Sequence, residues 1–486
     1  MKQRTGLLSL LSLLCILIAY PGHAQTGAAR PNIIIVNMDD MGYGDTEPYG
    51  MTDIATPNFN RLAQQGMRFT HFEAAQPVCS PSRAALLTGC YPNRLGISGS
   101  ALSPWDKRAL NPTEETIASV VKKAGYTTAM LGKWHLGARP PYLPIHYGFD
   151  TFYGLPYSHD MWPVGYDGKP ITDTSDPRHR YPPLPILDGD KTVAVNATLE
   201  DQSRLTGTLT QKAVAFIKNH KSRPFFLYLA HPMPHVPLAA SEKFRGKSGH
   251  GPFGDVVMEL DWSIGQILDE LDREGLSKKT LLIVTSDNGP WLRFGNHAGS
   301  SGGLREGKMV IMEGGVRVPC IMRWPGTIKA GAISSGLMTN MDLLPTIAAL
   351  TGAALPKNKI DGLSFAPFLL GKTNAGPREL MYYYYGKNSL EAVRYKNWKL
   401  VFPHRGLTYA IEPHGKDGYP GKDAHVEVGM ALYDLIHDPG EAYDVQAQYP
   451  EVVQQLKQLA QKAREDMGDE LTNTPGKNLR PAAVAN

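Results

Sequence analysis

Four consecutive residues, Ile33-Ile34-Ile35-Val36, restrict most strongly what this chain can fold into. β-branched side chains favour extended backbone. A run with no polar alternation has to be covered on both faces, the condition of a strand inside a parallel sheet. The same form recurs in "YTTAML" (126–131), "PFFLYLA" (224–230) and "TLLIVTS" (280–286). Between these runs lie the helical patterns "TIASVVKKAG", "LTQKAVAFIKNH" and "VVMELDWSIGQILDELDREG". Strands alternating with helices predict an α/β fold with a large, mostly parallel sheet sandwiched by helices.

Each predicted strand is followed by reactive side chains: Asp39 and Asp40, Lys133 and His135, His235, and Asp287 with Asn288. Open α/β sheets bind ligands outside the carboxyl ends of their strands, so these groups are expected at one edge. Asp39, Asp40, Asp287 and Asn288 offer hard oxygen ligands, which suit Ca²⁺ or Mg²⁺ better than zinc. Adjacent carboxylates repel unless a cation neutralises them; the competing reading makes them caps of the following turns. Arg83, Lys133, His135, His235 and Lys308 form a second set. Fixed cations around a divalent metal describe a pocket for a tetrahedral oxyanion, sulfate or phosphate, and spacing alone does not separate the two.

The 486-residue chain has a net charge of only +4 and no basic block, which argues against nucleic acid as a partner. Lys2 and Arg4 precede "GLLSLLSLLCILIAY", with small residues at Gly22 and Ala24. That is the form of a secretory signal peptide over residues 1–24, too short for a membrane span. The expected mature protein is exported to a periplasmic or extracellular space, with no span of its own. It keeps Cys79, Cys90 and Cys320, an odd number for an oxidising compartment, which suggests that one has another task. Residues 25–374 read as a catalytic domain and 375–470 as a smaller α+β unit with a short antiparallel sheet. Residues 471–486 read as a disordered tail. The stretch 157–205 reads as an irregular insertion at the mouth of the site, contributing His159, Asp160 and Trp162; His404 and Arg405 are expected at the rim. Asn196 opens a glycosylation sequon.

Cys79 stands in "PVCSPSRAALLTG". Pro81 fits the first turn of a helix and Gly89 its end. A helix N-terminus favours negative charge, so the thiol is expected to have a lowered pKa. The spacing from Cys79 to Arg83 is too short for the phosphate loop of a cysteine phosphatase. A continuing helix separates Cys79 from Cys90 by about 16 Å, beyond disulfide reach.

"CSPSR" followed by "AALLTG" resembles the C-x-P-S-R signature of the sulfatases, especially the arylsulfatase A-like and N-acetylgalactosamine-6-sulfatase-like members. "NMDDMGYGD", "GKWHLG", "GLPYSHD", "SDNGPW", "GKMVIMEGGVRVP" and "LYDLIHDPGE" carry the resemblance along nearly the whole mature chain. It implies an alkaline-phosphatase-like fold and a formylglycine made from Cys79 by a dedicated maturation enzyme. The hydrated aldehyde would attack sulfur with one hydroxyl and expel sulfate with the other. By the same resemblance, Asp39, Asp40, Asp287, Asn288 and the modified Cys79 hold Ca²⁺, which fits better than Mg²⁺. Arg83 orients the nucleophile, His135 acts as base, and Lys133 and Lys308 contact the sulfate. His235 stands near the leaving oxygen, and Ser158 touches the site. Met309 to Met312 depart from the family pattern of small hydroxyl residues after the lysine and make that wall apolar. The function implied is that of a secreted sulfuric ester hydrolase, acting on a sulfated carbohydrate. The alternatives are an arylsulfatase for small aryl or steroid sulfates, a phosphatase or phosphonate hydrolase, and a non-catalytic binder of sulfated glycans should Cys79 stay unmodified.

Overall fold

The structure, a computed structural model, describes residues 30–484. The expected signal peptide and its cleavage site lie outside the described residues. Among the described residues no helix is long and apolar enough to cross a membrane.

A ten-stranded sheet organises the chain. Its strands are β1 (Asn32–Met38), β2 (Met67–Phe69), β3 (Thr127–Lys133), β4 (Thr151–Leu155), β5 (Leu184–Asp188), β6 (Lys191–Asn196), β7 (Phe225–Ala230), β8 (Thr280–Ser286), β9 (Cys320–Arg323) and β10 (Ala332–Ser334). Across the sheet they run β10-β2-β9-β8-β1-β7-β3-β4-β5-β6. The centre, β8-β1-β7-β3-β4, is parallel throughout. Antiparallel pairs enter on either side of it.

Alternation along β1 divides the core. Ile33 and Ile35 pack with α1 (Cys79–Thr88), α2 (Ile117–Lys123) and α5 (Leu343–Thr351) on one face. Ile34 and Val36 meet α3 (Leu205–Asn219) and α4 (Gly251–Arg273) on the other. Successive side chains of a strand point to opposite faces, so helices on both sides require an unbroken apolar run.

A second, antiparallel sheet of four strands follows: β11 (Leu380–Tyr385), β12 (Ser389–Tyr395), β13 (Trp398–Val401) and β14 (Ala431–Asp434). The amphipathic α6 (Pro450–Met467) lays Val453, Leu456 and Ala460 on its core.

Two expectations change. Through residue 484 the expected tail is packed, not loose. The Arg480 backbone N–H donates to the Arg94 carbonyl at 2.6 Å, its guanidinium pairs with Glu114 at 2.6 Å, and Ala483–Val484 pairs with Arg108–Ala109. These partners lie hundreds of residues away, where local composition cannot reveal them. The 157–205 insertion is not wholly irregular either, because β5 and β6 form a hairpin on the edge of the main sheet. β6 is exposed along most of its length, and its one apolar run, Val193-Ala194-Val195, is short. The Asn196 side chain is buried.

Candidate active site

The strand register brings the predicted residues together. Met38 lies opposite Ser286, Asn37 opposite Ala230, and Ala230 opposite Gly132, so three parallel junctions end on one level. Asp39 and Asp40, Asp287 and Asn288, and Lys133 with His135 leave the sheet at that edge, all buried. Asp40 and His135 are held at φ of 64° and 66°. Non-glycine residues avoid this left-handed region unless the surroundings over-determine it.

α1 points its N-terminus at the same place. The Cys79 thiol donates to Asp39 Oδ1 at 3.3 Å. Ser82 Oγ donates to the Asp287 carbonyl at 2.5 Å and accepts from Asn340 Nδ2 at 2.9 Å, which fixes the first turn. Arg83, one turn on, is fully buried. It meets Asp287 Oδ2 at 2.8 Å and Asp39 Oδ2 at 3.4 Å, and donates to the Lys133 carbonyl at 2.8 Å. Lys133 Nζ donates to Asp39 Oδ2 and, at 2.9 Å, to Ser158 Oγ. Lys308 Nζ sits 2.7 Å from Asp40 Oδ1 and 4.4 Å from the Trp291 ring centre. His235 Nε2 is 3.6 Å from Asp40 Oδ2. His135 Nε2 is 2.9 Å from the Leu102 carbonyl. A carbonyl only accepts, so that nitrogen carries the proton and Nδ1, which has no partner, presents a lone pair.

Burial and charge pull these groups apart. Burial alone would raise Asp39, but Lys133 and then Arg83 hold its carboxyl well below the usual range. Burial, reinforced by Asp39, pushes Asp287 up to about 7; burial, opposed by Lys308 and aided by Asp39, brings Asp40 to about 6. Burial first, and Lys308 second, lowers His235 to about 4. The expectation of a lowered Cys79 pKa is overturned: burial, then the Asp39 carboxylate, pushes the thiol well above its ordinary value. A helix dipole acts weakly against a carboxylate in direct contact.

A hard dication fits this donor set. Asp39, Asp40 and Asp287 crowd together, and the buried Asn288 amide leaves its Oδ1 without any donor. An orphaned oxygen among repelling carboxylates is what a cation would satisfy. Ligand atoms of Asp39, Asp40, Cys79 and His235 lie within 4.8 Å of one another.

Cys79, His135, Ser158, His235 and Lys308 line a cavity of about 210 Å³. Trp291 and Tyr385 also line it, and sequence reasoning missed both. Trp291 closes the quoted "SDNGPW", where its position after Asp287 was an available signal. Tyr385 arrives from β11 and carries none. His404 and Arg405 do not line the cavity; His404 instead faces the Phe402 carbonyl and Glu391.

Comparison with known proteins agrees in sequence and shape. The sulfatase family model matches residues 31–353, and models of the C-terminal region of aryl-sulfatase and the N-sulphoglucosamine sulphohydrolase C-terminus match 376–484 and 306–411. Arylsulfatase A of Bos taurus is 38% identical, over 89% of this chain and 87% of its own. N-acetylgalactosamine-6-sulfatase of Mus musculus is 36% identical, over 97% and 93%. The crystal structure of a sulfatase from Pseudoalteromonas sp. superposes with a TM-score of 0.79 at 28% identity, over 89% of this chain and 90% of the other. Metal-ready carboxylates, a cysteine-headed helix and a ring of cations thus stand in a chain that belongs to the sulfatase family of sulfuric ester hydrolases.

Proposed function

We propose that the protein is an exported sulfatase that removes sulfate from a sulfated carbohydrate, with position 79 matured to formylglycine and Ca²⁺ held by Asp39, Asp40, Asp287 and Asn288. The observation that carries this reading is that Cys79, Lys308, His235 and His135 all line a single cavity. Ca²⁺ would polarise the oxygens brought to it, and the hydrated aldehyde would supply the attacking oxygen.

The remaining work falls to the chain's own side chains. Arg83, pinned between Asp287 and Asp39, fixes the direction in which residue 79 leaves α1. Lys133 and Lys308 are held in place by Asp39 and Asp40, and as ammonium donors they neutralise sulfate oxygens when the ester enters. His135 offers a neutral nitrogen, lone pair free, beside residue 79, which suits the removal of a hydroxyl proton there. His235 and Lys308 flank Asp40 and stand where a departing alcohol oxygen needs a proton.

Carbohydrate is favoured over aryl or steroid sulfate by the likeness to an N-acetylgalactosamine-6-sulfatase across nearly the full chain. The test is turnover of a panel of sulfated sugars beside small aryl and steroid sulfates by the matured protein. Hydrolysis of at least one sugar sulfate is expected. Activity confined to the aryl and steroid compounds would contradict the carbohydrate reading.

A further inference from the structure

A second cavity, of about 150 Å³, opens beside the catalytic one and shares Asp160 and Trp291 with it. Together the two reach the roughly 300–1,000 Å³ of ligand pockets. The expected insertion builds much of its wall: Tyr166, Arg178 and Tyr181 face Trp291 and Phe294. Aromatic rings step outward from the reacting end. Trp291 lies 5.4 Å from the His235 ring and 4.8 Å from Phe294, and Phe294 lies 6.0 Å from Tyr166. At the lip, Trp105 stacks on Tyr181 at 4.5 Å and stays 47% exposed.

Among the described residues, three buried polar atoms on this wall have no hydrogen-bond partner: Asp160 Oδ1, Arg178 Nη1 and Trp291 Nε1. Unpaired buried polar atoms are rare, and each needs a reason. Here one acceptor and two donors meet among aromatic faces. Arg178 is held rigid, its guanidinium 3.9 Å over Tyr166 and 2.6 Å from Asp176, so its charge is already matched. Asp160 is the one carboxylate among the residues that line the groove.

We propose that this groove is a subsite for an uncharged sugar ring joined to the sulfated one, so that the enzyme prefers sulfate esters within an oligosaccharide. A pyranose ring supplies both elements of the match, apolar faces for the aromatic walls and hydroxyls that donate to Asp160 and accept from Arg178 and Trp291. An aryl or steroid group would leave all three polar atoms unpaired. A second sulfate or a uronate beside Asp160 would be repelled.

This inference rests on the carbohydrate reading above, and the experiment separates the two. The probes are galactose and N-acetylgalactosamine sulfated at the 4- or 6-hydroxyl, each free and joined to one unsulfated sugar, with 4-nitrophenyl sulfate as reference. The wild-type kcat/KM is expected to favour linked over free sugar by about tenfold, the weight of one hydrogen bond to a charged group. Arg178→Ala and Tyr181→Ala should each erase most of that preference by raising KM for the linked sugar, with kcat little changed. Equal rates on linked and free sugars, or a preference that survives both substitutions, overturns the subsite and leaves the carbohydrate reading standing. Hydrolysis of the reference compound alone overturns both.

Discussion

Two buried knots of charge invite comparison. At the sheet edge, Asp39, Asp40 and Asp287 meet Arg83, Lys133 and Lys308. Between the main sheet and the C-terminal one, Glu73, Glu313 and Glu441 meet Arg394, Lys399 and Arg317. Residue types and burial are alike; the surroundings of the two lysines are not. Lys399 spends its ammonium on Glu313 at 3.1 Å, Glu441 at 2.9 Å and the Ile311 carbonyl at 2.9 Å. An ammonium has three donors, so nothing is left for a ligand. Tyr383 and Arg394 close on Glu73 in the same way. Among the described residues Lys308, by contrast, has only Asp40 as a polar partner of its ammonium, and it faces the cavity that Cys79 lines. The lysines mark the difference: Lys399 is enclosed by three protein acceptors, whereas Lys308 faces that cavity.

The two knots also touch through the chain. Ile311, whose carbonyl accepts a hydrogen bond from Lys399, lies three residues past Lys308, and Tyr409 Oη donates to the Lys308 carbonyl at 2.6 Å. The C-terminal sheet therefore holds the loop that presents Lys308.

Substitutions can break this contrast in graded steps. Cys79→Ala should lower kcat on an aryl sulfate by roughly four orders of magnitude or more while leaving the denaturant midpoint unmoved; retention of turnover would refute the nucleophile. Lys308→Met removes one donor aimed at developing charge, and initial rates should fall by about 10²–10³ with stability nearly kept. Lys399→Met should do the reverse. It leaves Glu441 buried without its cation and Glu313 with Arg317 at 3.7 Å, at a cost of about 3–5 kcal/mol read from denaturant unfolding. Any loss of activity in it should follow from displacement of the Lys308 loop. A mutant as stable as wild type would dissolve the distinction between the two knots.

The smallest effect is one of pH. Burial, then Asp469, pushes Glu391 of the C-terminal sheet up to about 8. The folded chain thus holds this proton more tightly than the unfolded one. The stability it contributes is complete below the ordinary carboxylate pKa and falls as pH rises through that value toward 8. Glu391→Gln keeps the neutral form, so its thermal midpoint should match wild type near pH 4 and exceed it near pH 8. Parallel curves would contradict the assignment.

What could be read from sequence followed burial and local order. The runs around Ile33 and Leu281 announce buried parallel strands because both faces need apolar cover. Asp39, Lys133 and Asp287 could be read because each sits just past such a run, and topology alone carries strand ends to one edge. The edge hairpin was missed because β6 faces water and offers only the short run Val193-Ala194-Val195 among Pro-, Asp- and Lys-containing neighbours. Arg480 gave no sign of its partners, Glu114 and Cys90, which only folding brings near. The Cys79 thiol was misjudged because the helix N-terminus is visible in the sequence, whereas contact with Asp39 across forty residues is not. The orphaned atoms of Asp160, Arg178 and Trp291 belong to the same class, since pairing is a property of the packed chain.

The central claim is that residue 79 acts as an oxidised side chain, and the mass of its peptide from the active, purified protein tests it most directly. The account predicts a peptide lighter than the cysteine form by one sulfur and two hydrogens less one oxygen. Full sulfatase turnover from a sample in which that peptide carries only an intact thiol would contradict it.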